Sequence, residues 1–300
     1  MYRQYRFLID CGEGTQRQIL RSGLGFKRLD KVLLTHGHLD HILGLGGLIS
    51  TLSRWETLAQ VDIYGGSSTL GRVQDLIYKV VLRGAEPPVA LRFVRVKGGD
   101  VLLEDDSFRL SAFGVSHRGP DCLGFVFEEK ARRPFLAERA EALGIPFGPE
   151  RGQLVRGRPV ILADGRVIQP DDVLGEEIPG VKYVHIGDVG KTADLVDRCR
   201  GADVLVIEAT YLAEDAEMAR QYGHLTAGQA ARLAQEAAVK SLILTHISRR
   251  YAERAVYQEA TAIFPSTFVA RDFDHFRLSR AGAERLSPDA EAVPAEEEEV

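Results

Sequence analysis

Cysteine is scarce in this chain: Cys11, Cys122 and Cys199 are the only three in 300 residues, and they stand far apart. An odd, scattered set with no C-x-x-C pair excludes a disulfide framework and a cysteine zinc site. It fits reduced thiols in a cytoplasmic protein. Long apolar runs are missing too. No stretch approaches the ~18 residues of a membrane span, and Met1 to Asp10 carries no long apolar segment ahead of a cleavage site. Neither a membrane helix nor a secretion signal is expected. The body also lacks a strong charge of either sign. The formal net charge is −5, but Ser287 to Val300 holds six acids and no Lys or Arg, and without them 37 acids face 38 bases. The end of the chain, taken from 280 to 300, reads as an acidic, disordered tail. What is present is ordinary: 45% hydrophobic and 27% charged residues, which suits a globular protein with a full core.

Strand and helix signals alternate. Tyr5–Asp10, Lys31–Thr35, Leu91–Val96, Phe108–Val115 and Leu123–Glu128 read as strands, as do the apolar runs Val181–Ile186, Asp203–Ile207 and Ser241–Thr245. Gly14–Ser22, Ile42–Leu52, Leu195–Cys199, Ala227–Ala237 and Ala252–Ile263 read as helices. Such a mixture implies an α/β protein with sheets covered by helices. One echo stands out. Val32-Leu33-Leu34-Thr35-His36 resembles Leu242-Ile243-Leu244-Thr245-His246, as if two half-domains each offered a histidine at a strand's end. Between Lys130 and Arg158 the texture changes to Gly and Pro with seven bases and three acids, a local net of +4. This reads as an inserted arm, 130–160, outside the core layers.

The densest chemistry lies in Thr35-His36-Gly37-His38-Leu39-Asp40-His41. Imidazole nitrogen and carboxylate oxygen suit zinc, and a loop just after a buried strand puts them at a sheet's edge. Gly37 is expected to let the backbone turn between His36 and His38. His117, Asp188 and His246 each follow an apolar strand and are the partners expected to complete the set. His185 lies inside a strand, and His275 follows Asp272-Phe273-Asp274; both read as structural.

His-x-His-x-Asp-His with a distant His, Asp and His resembles the signature of metallo-β-lactamase-fold hydrolases. Phe7-Leu8-Ile9-Asp10-Cys11-Gly12-Glu13-Gly14-Thr15-Gln16-Arg17-Gln18 narrows the resemblance to the ribonuclease Z family of tRNA 3′-processing enzymes. So do Glu208-Ala209-Thr210-Tyr211-Leu212, Tyr222-Gly223-His224-Leu225-Thr226, and Gly144-Ile145-Pro146-Phe147-Gly148-Pro149 in the arm. The resemblance implies an αββα sandwich over residues 1–279, lacking the family's usual first strand, with the arm as an exosite. It implies two zinc ions per subunit: His36, His38 and His117 on one, Asp40, His41 and His246 on the other, Asp188 bridging. Asp40 would be the general base, and Glu208 and His224 the pair that protonates the leaving 3′ oxygen. The substrate would be precursor tRNA, bound by a homodimer. The residues alone leave open a small-molecule phosphodiesterase or arylsulfatase-like hydrolase of the same fold. Gly187-Asp188-Val189 and Gly223-His224-Leu225-Thr226 depart from the family's Gly-Asp-Thr and Gly-His-Ser-Thr, which bears on the hydrogen bonds behind the ligands.

Overall fold

The computed structural model describes residues 1–55, 58–87 and 89–287. Short buried runs form two sheets. The first is all parallel and runs β1 (Phe7–Ile9), β2 (Lys31–Leu33), β3 (Gln60–Gly65), β4 (Ala90–Arg95). The second contains β5 (Val101–Glu104), β6 (Phe108–Gly114) and β7 (Leu123–Glu129). A small hairpin, β8 (Val160–Ile161) and β9 (Val167–Ile168), interrupts it in sequence. β10 (Lys182–Ile186), β11 (Val204–Glu208), β12 (Ser241–Thr245) and β13 (Thr267–Val269) complete it. Its order is β13-β12-β11-β10-β7-β6-β5, parallel from β13 to β10 and antiparallel from there on.

Side chains of period two sort the core into layers. On β2, Leu33 faces the opposing sheet and packs with Tyr64, Phe108, Leu110 and Phe125. Its neighbours Val32 and Leu34 face outward, onto Leu45, Leu48, Ile49 and Leu52 of the helix Leu45–Trp55. On the second sheet, Leu205 and Ile207 face the helix Ala227–Glu236, which presents Ala227, Ala230, Ala231 and Ala234. These small residues let the helix lie close to the sheet. Val204, Val206 and Ile243 face inward, against Phe276 and Leu278 of the hairpin β14 (His275–Ser279) and β15 (Gly282–Leu286). The result is helix, sheet, sheet, helix, as expected.

The hairpin corrects the boundary drawn at 279. Composition made 280 the start of a tail, yet Gly282–Leu286 pairs along β14 because Arg280 and Lys240 close on a buried carboxylate. Asp203 is fully buried and accepts from Lys182 N at 2.8 Å, Lys240 Nζ at 2.9 Å and Arg280 Nη1 at 2.7 Å. Residues 288–300, the acidic end, lie outside the described residues. Burial works to raise the Asp203 carboxyl, but the hydrogen bonds from Lys182, Lys240 and Arg280 outweigh it and hold it below the usual range. A lowered folded value adds stability above the ordinary carboxylate value of about 3.9, which is lost as pH falls through the folded value. Asp203→Asn is therefore expected to cost about 2–4 kcal/mol at pH 7. The gap between wild-type and variant urea midpoints should close below about pH 4; a constant gap would refute the linkage.

The arm also departs from expectation. It leaves after β7 and returns before β10, closing through Arg132 and Ile178, which exchange backbone hydrogen bonds of 3.0 and 2.7 Å, and through Phe135 and Leu174. It has its own core of Ala140, Ile145, Leu154, Val160, Ile168 and Val173. The wider segment, 130–180, gains Arg166 but also Asp164, Asp171, Asp172, Glu176 and Glu177, so eight bases meet eight acids. The arm as a unit is neutral; its surplus of bases belongs to the first half alone. Arg133 is committed to Asp171 and to the carbonyls of Leu174 and Gly175, at the arm's base. Phe147 is 83% exposed, with the Arg151 guanidinium 3.7 Å from its ring centroid.

No helix among the described residues is long and apolar enough to cross a membrane.

Candidate metal centre

The clustered donors stand where strands end, along the seam between the two sheets. His36 follows β2, His117 follows β6, Asp188 follows β10, and His246 follows β12 directly. The short helix Leu39–Ile42, with His38 at its N-cap, carries Asp40 and His41. Glycines let this turn settle onto the loop after β1. A Cβ on Gly12 would lie 2.1 Å from the Asp40 carbonyl oxygen, and one on Gly44 would lie 1.9 Å from that of Gly12. Gly37 serves differently from the expectation. It has no left-handed backbone; a Cβ there would press on Thr69 at 3.3 Å, so packing and not the turn asks for glycine.

Two pockets form. In one, His36 Nε2 lies 2.9 Å from His38 Nδ1, His117 Nε2 lies 3.3 Å from the same atom, and Asp188 Oδ2 is 3.7 Å from His36 and 3.6 Å from His117. In the other, Asp188 Oδ1 lies 3.3 Å from His41 Nε2 and 3.5 Å from His246 Nε2, and Asp40 Oδ2 lies 3.5 Å from each of those nitrogens. Asp188 thus turns one oxygen to each pocket. Four donors around an ion at about 2.0–2.1 Å have tetrahedral edges of about 3.4 Å, so both sets have the right size. His41 Nε2 and Asp188 Oδ1 are buried without a hydrogen-bond partner, as donors aimed at a cation would be. The residues present are therefore compatible with metal in both pockets. His185 and His275, read as structural, are in neither; His185 Nδ1 lies 2.8 Å from the Tyr183 hydroxyl.

Electrostatics make three of the imidazoles ready donors. Burial pushes His36 down to about 3, helped by the nearby His41 charge, and burial also lowers His38 and His117. These three are neutral at pH 7, the form in which an imidazole can hold a metal. Burial opposes charge on His41, but its Nδ1 hydrogen bond to Asp10 and the facing Asp188 carboxylate raise it to about 10. Asp188 is buried, yet His41, His246 and His36 hold its carboxyl far below the usual range.

Beside the second pocket, His224 stacks on His246 with centroids 5.4 Å apart at 22°, and lies 5.2 Å from His117. Its Nδ1 is 2.8 Å from Glu208 Oε1. Burial lowers His224, but Glu208 more than compensates, and the net shift is upward. Glu208 is fully buried and also accepts from Val189 N, Leu225 N and Thr210 Oγ1, at 2.7, 3.2 and 2.6 Å. All nine site residues expected from sequence meet along this seam. Sequence reasoning missed Asp10, Thr35 and Thr210, which hold His36, His41 and His246 from behind. The Thr-His echo was the available signal for Thr35.

Two facing sheets flanked by helices, with a His-x-His-x-Asp-His loop on their shared edge, define a metallo-β-lactamase-fold hydrolase. Residues 3–53 match the family model described as Metallo-beta-lactamase superfamily, and residues 152–247 match that described as Beta-lactamase superfamily domain. The chain is 49% identical over 273 residues to ribonuclease Z of Bradyrhizobium diazoefficiens, covering 90% of this chain and 89% of that protein. It is 39% identical over 267 residues to ribonuclease Z of Methanothermobacter thermautotrophicus, covering 89% and 85%. The chain belongs to the ribonuclease Z family. Among solved structures it is similar to the short form of human tRNase Z, with a TM-score of 0.59 and 25% identity over 91% of this chain and 88% of that one.

Proposed function

We propose that this chain is a zinc-dependent endoribonuclease that removes the 3′ trailer from precursor tRNA. The observation that carries the metal chemistry is Asp188, shared between two pockets with one oxygen in each. His36, His38 and His117 would hold one zinc ion; Asp40, His41 and His246 would hold the second; two ions per subunit are expected. When bound, such a pair supplies Lewis acidity that activates water and steadies the charge of an in-line displacement at phosphorus. Asp40, at the mouth with its side chain 63% exposed, takes the proton of the attacking water. The water oxygen joins phosphorus and the bond to the 3′ oxygen breaks. His224, oriented by Glu208, which favours its charged form, gives its proton to that oxygen. Glu208 is sealed from solvent and acts through His224, without touching substrate. The products are a tRNA with a 3′-OH and a trailer with a 5′-phosphate.

The arm supplies binding away from the metals. Phe147 and Arg151 offer a face for a base and Arg156 and Arg158 offer charge for phosphates. The family resemblance supports a homodimer in which one subunit's arm serves the other's site. The three cysteines are free and buried, which supports residence in the cytoplasm.

Incubation with a 3′-extended precursor tRNA, with product sizing and a chelator control, tests the reading. One cut near the discriminator end, lost with chelator, is expected. Hydrolysis of small aryl esters with no cut in the RNA would install the small-molecule phosphodiesterase or arylsulfatase reading instead.

His224→Ala is expected to slow the single-turnover cleavage step by about 10²–10⁴-fold while the chain still binds two zinc ions. Loss of one ion would show that His224 is a ligand.

A further inference from the structure

Six imidazoles crowd the centre, and five of them are held from behind at Nδ1; His38 alone turns Nδ1 inward. For His117 the holder is a carbonyl oxygen, Gly223 O at 2.7 Å, and for His41 and His224 it is a carboxylate, Asp10 or Glu208. Those groups accept only, so Nδ1 carries a proton in all three: this leaves Nε2 of His117 and His41 to face the pockets, and Nε2 of His224 to carry the proton that it donates. His36 and His246 are held by hydroxyls, Thr35 Oγ1 at 3.0 Å and Thr210 Oγ1 at 2.8 Å. A hydroxyl either gives or takes a hydrogen bond and by itself selects no tautomer.

Both hydroxyls have their proton committed. Thr35 Oγ1 donates to Asp10 Oδ2 at 2.7 Å, and Thr210 Oγ1 donates to Glu208 Oε2 at 2.6 Å. Only their lone pairs are left for the imidazole. We propose that Thr35 and Thr210 are positioning residues that set the Nδ1–H tautomer of His36 and His246, each driven by the carboxylate behind it. The inference rests on the reading of His36 and His246 as metal ligands.

The arrangement occurs twice, once on each sheet. Asp10 follows β1 and holds His41 directly and His36 through Thr35; Glu208 ends β11 and holds His224 directly and His246 through Thr210. Asp10 thereby ties a ligand of one pocket to a ligand of the other. Glu208 ties a ligand to the proton donor. The backbone is shaped for it: Asp10 and His246 both take left-handed φ values, 58° and 55°, which non-glycine residues adopt at a cost and which cluster at working sites.

Valine matches threonine in shape and lacks the hydroxyl. Zinc affinity is measured by chelator competition, and the histidine tautomers of the zinc-free full chain are read from imidazole ¹⁵N shifts. Thr35→Val and Thr210→Val are each expected to weaken one zinc equivalent by about 10–100-fold and to mix the tautomers of His36 or His246. Thr35→Ser and Thr210→Ser should restore both readouts. Wild-type zinc affinity with an unmixed Nδ1–H signal in the valine variants would overturn the inference. So would serine variants that fold but bind zinc as weakly as valine ones. A wild-type chain that binds no zinc would instead refute the ligand reading, while the tautomer shifts would still decide the role of the threonines.

Discussion

Asp188→Asn is expected to abolish phosphodiester cleavage, by about 10³-fold or more, and to reduce bound zinc from two per chain to one or none. The substitution keeps the shape of the side chain and removes its charge. In the wild type the two oxygens of Asp188 face different pockets, 3.6–3.7 Å from His36 and His117 on one side and 3.3–3.5 Å from His41 and His246 on the other. An amide offers one oxygen and one NH₂. Whichever way it turns, one pocket faces a donor where it needs an acceptor. Asp40→Ala makes an informative contrast. That carboxylate is exposed and serves one pocket, so the first zinc should be kept while cleavage still fails for want of the base. Zinc content by atomic absorption, read beside single-turnover cleavage, distinguishes the two. Near-wild-type turnover in a folded Asp188→Asn chain with both ions bound would sink the shared-carboxylate reading.

The second large effect concerns the arm. Replacing 133–177 by a short Gly-Ser linker should lower kcat/KM on precursor tRNA by about 10²-fold or more, because remote binding energy positions the scissile phosphate. Hydrolysis of a small aryl phosphodiester should stay within about two-fold of wild type. The arm has its own core, and its two ends already pair through Arg132 and Ile178, so its removal leaves the sheets closed. Because eight bases meet eight acids across the arm, the salt dependence of RNA binding should flatten by only a few units of slope, up to about one for each phosphate that the shortened chain no longer neutralises. Equal loss on both substrates would mean the arm supports the metal centre. No loss on either would weaken the RNA reading itself.

Much of this was legible in the sequence, for physical reasons that differ by element. The parallel strands β10, β11 and β12 are buried on both faces, so they read as continuous apolar runs. The site was legible because ligand chemistry is concentrated: four donors in six residues need few assumptions about folding. β3 was missed because Asp62 interrupts its apolar pattern; the structure buries that carboxylate against Arg92 Nε at 2.8 Å and Gln60 Nε2 at 2.6 Å. The arm's true extent was missed because its second half, with hairpin β8–β9, is built from two-residue strands that leave no periodicity. Of the supporting shell, Thr35 left its trace in the Thr-His echo, but Asp10 and Thr210 left none. Those two hold histidines or Thr35 across 25 to 36 positions of sequence.

The placement of the donors along the seam has a consequence for how long the molecule survives. His36, His38, Asp40 and His41 belong to the half of the chain that builds the first sheet, while His117, Asp188 and His246 belong to the second. A cation seated in either pocket is therefore a staple between two halves, added to the apolar layer and the scattered hydrogen bonds, such as Leu123 N to Thr35 O, that already join them. Its binding free energy adds to folding in proportion to RT ln(1 + [L]/Kd). Scarcity of the ion would then act twice, first idling the centre and then loosening the halves, so that degradation by proteases removes chains that have lost their metal.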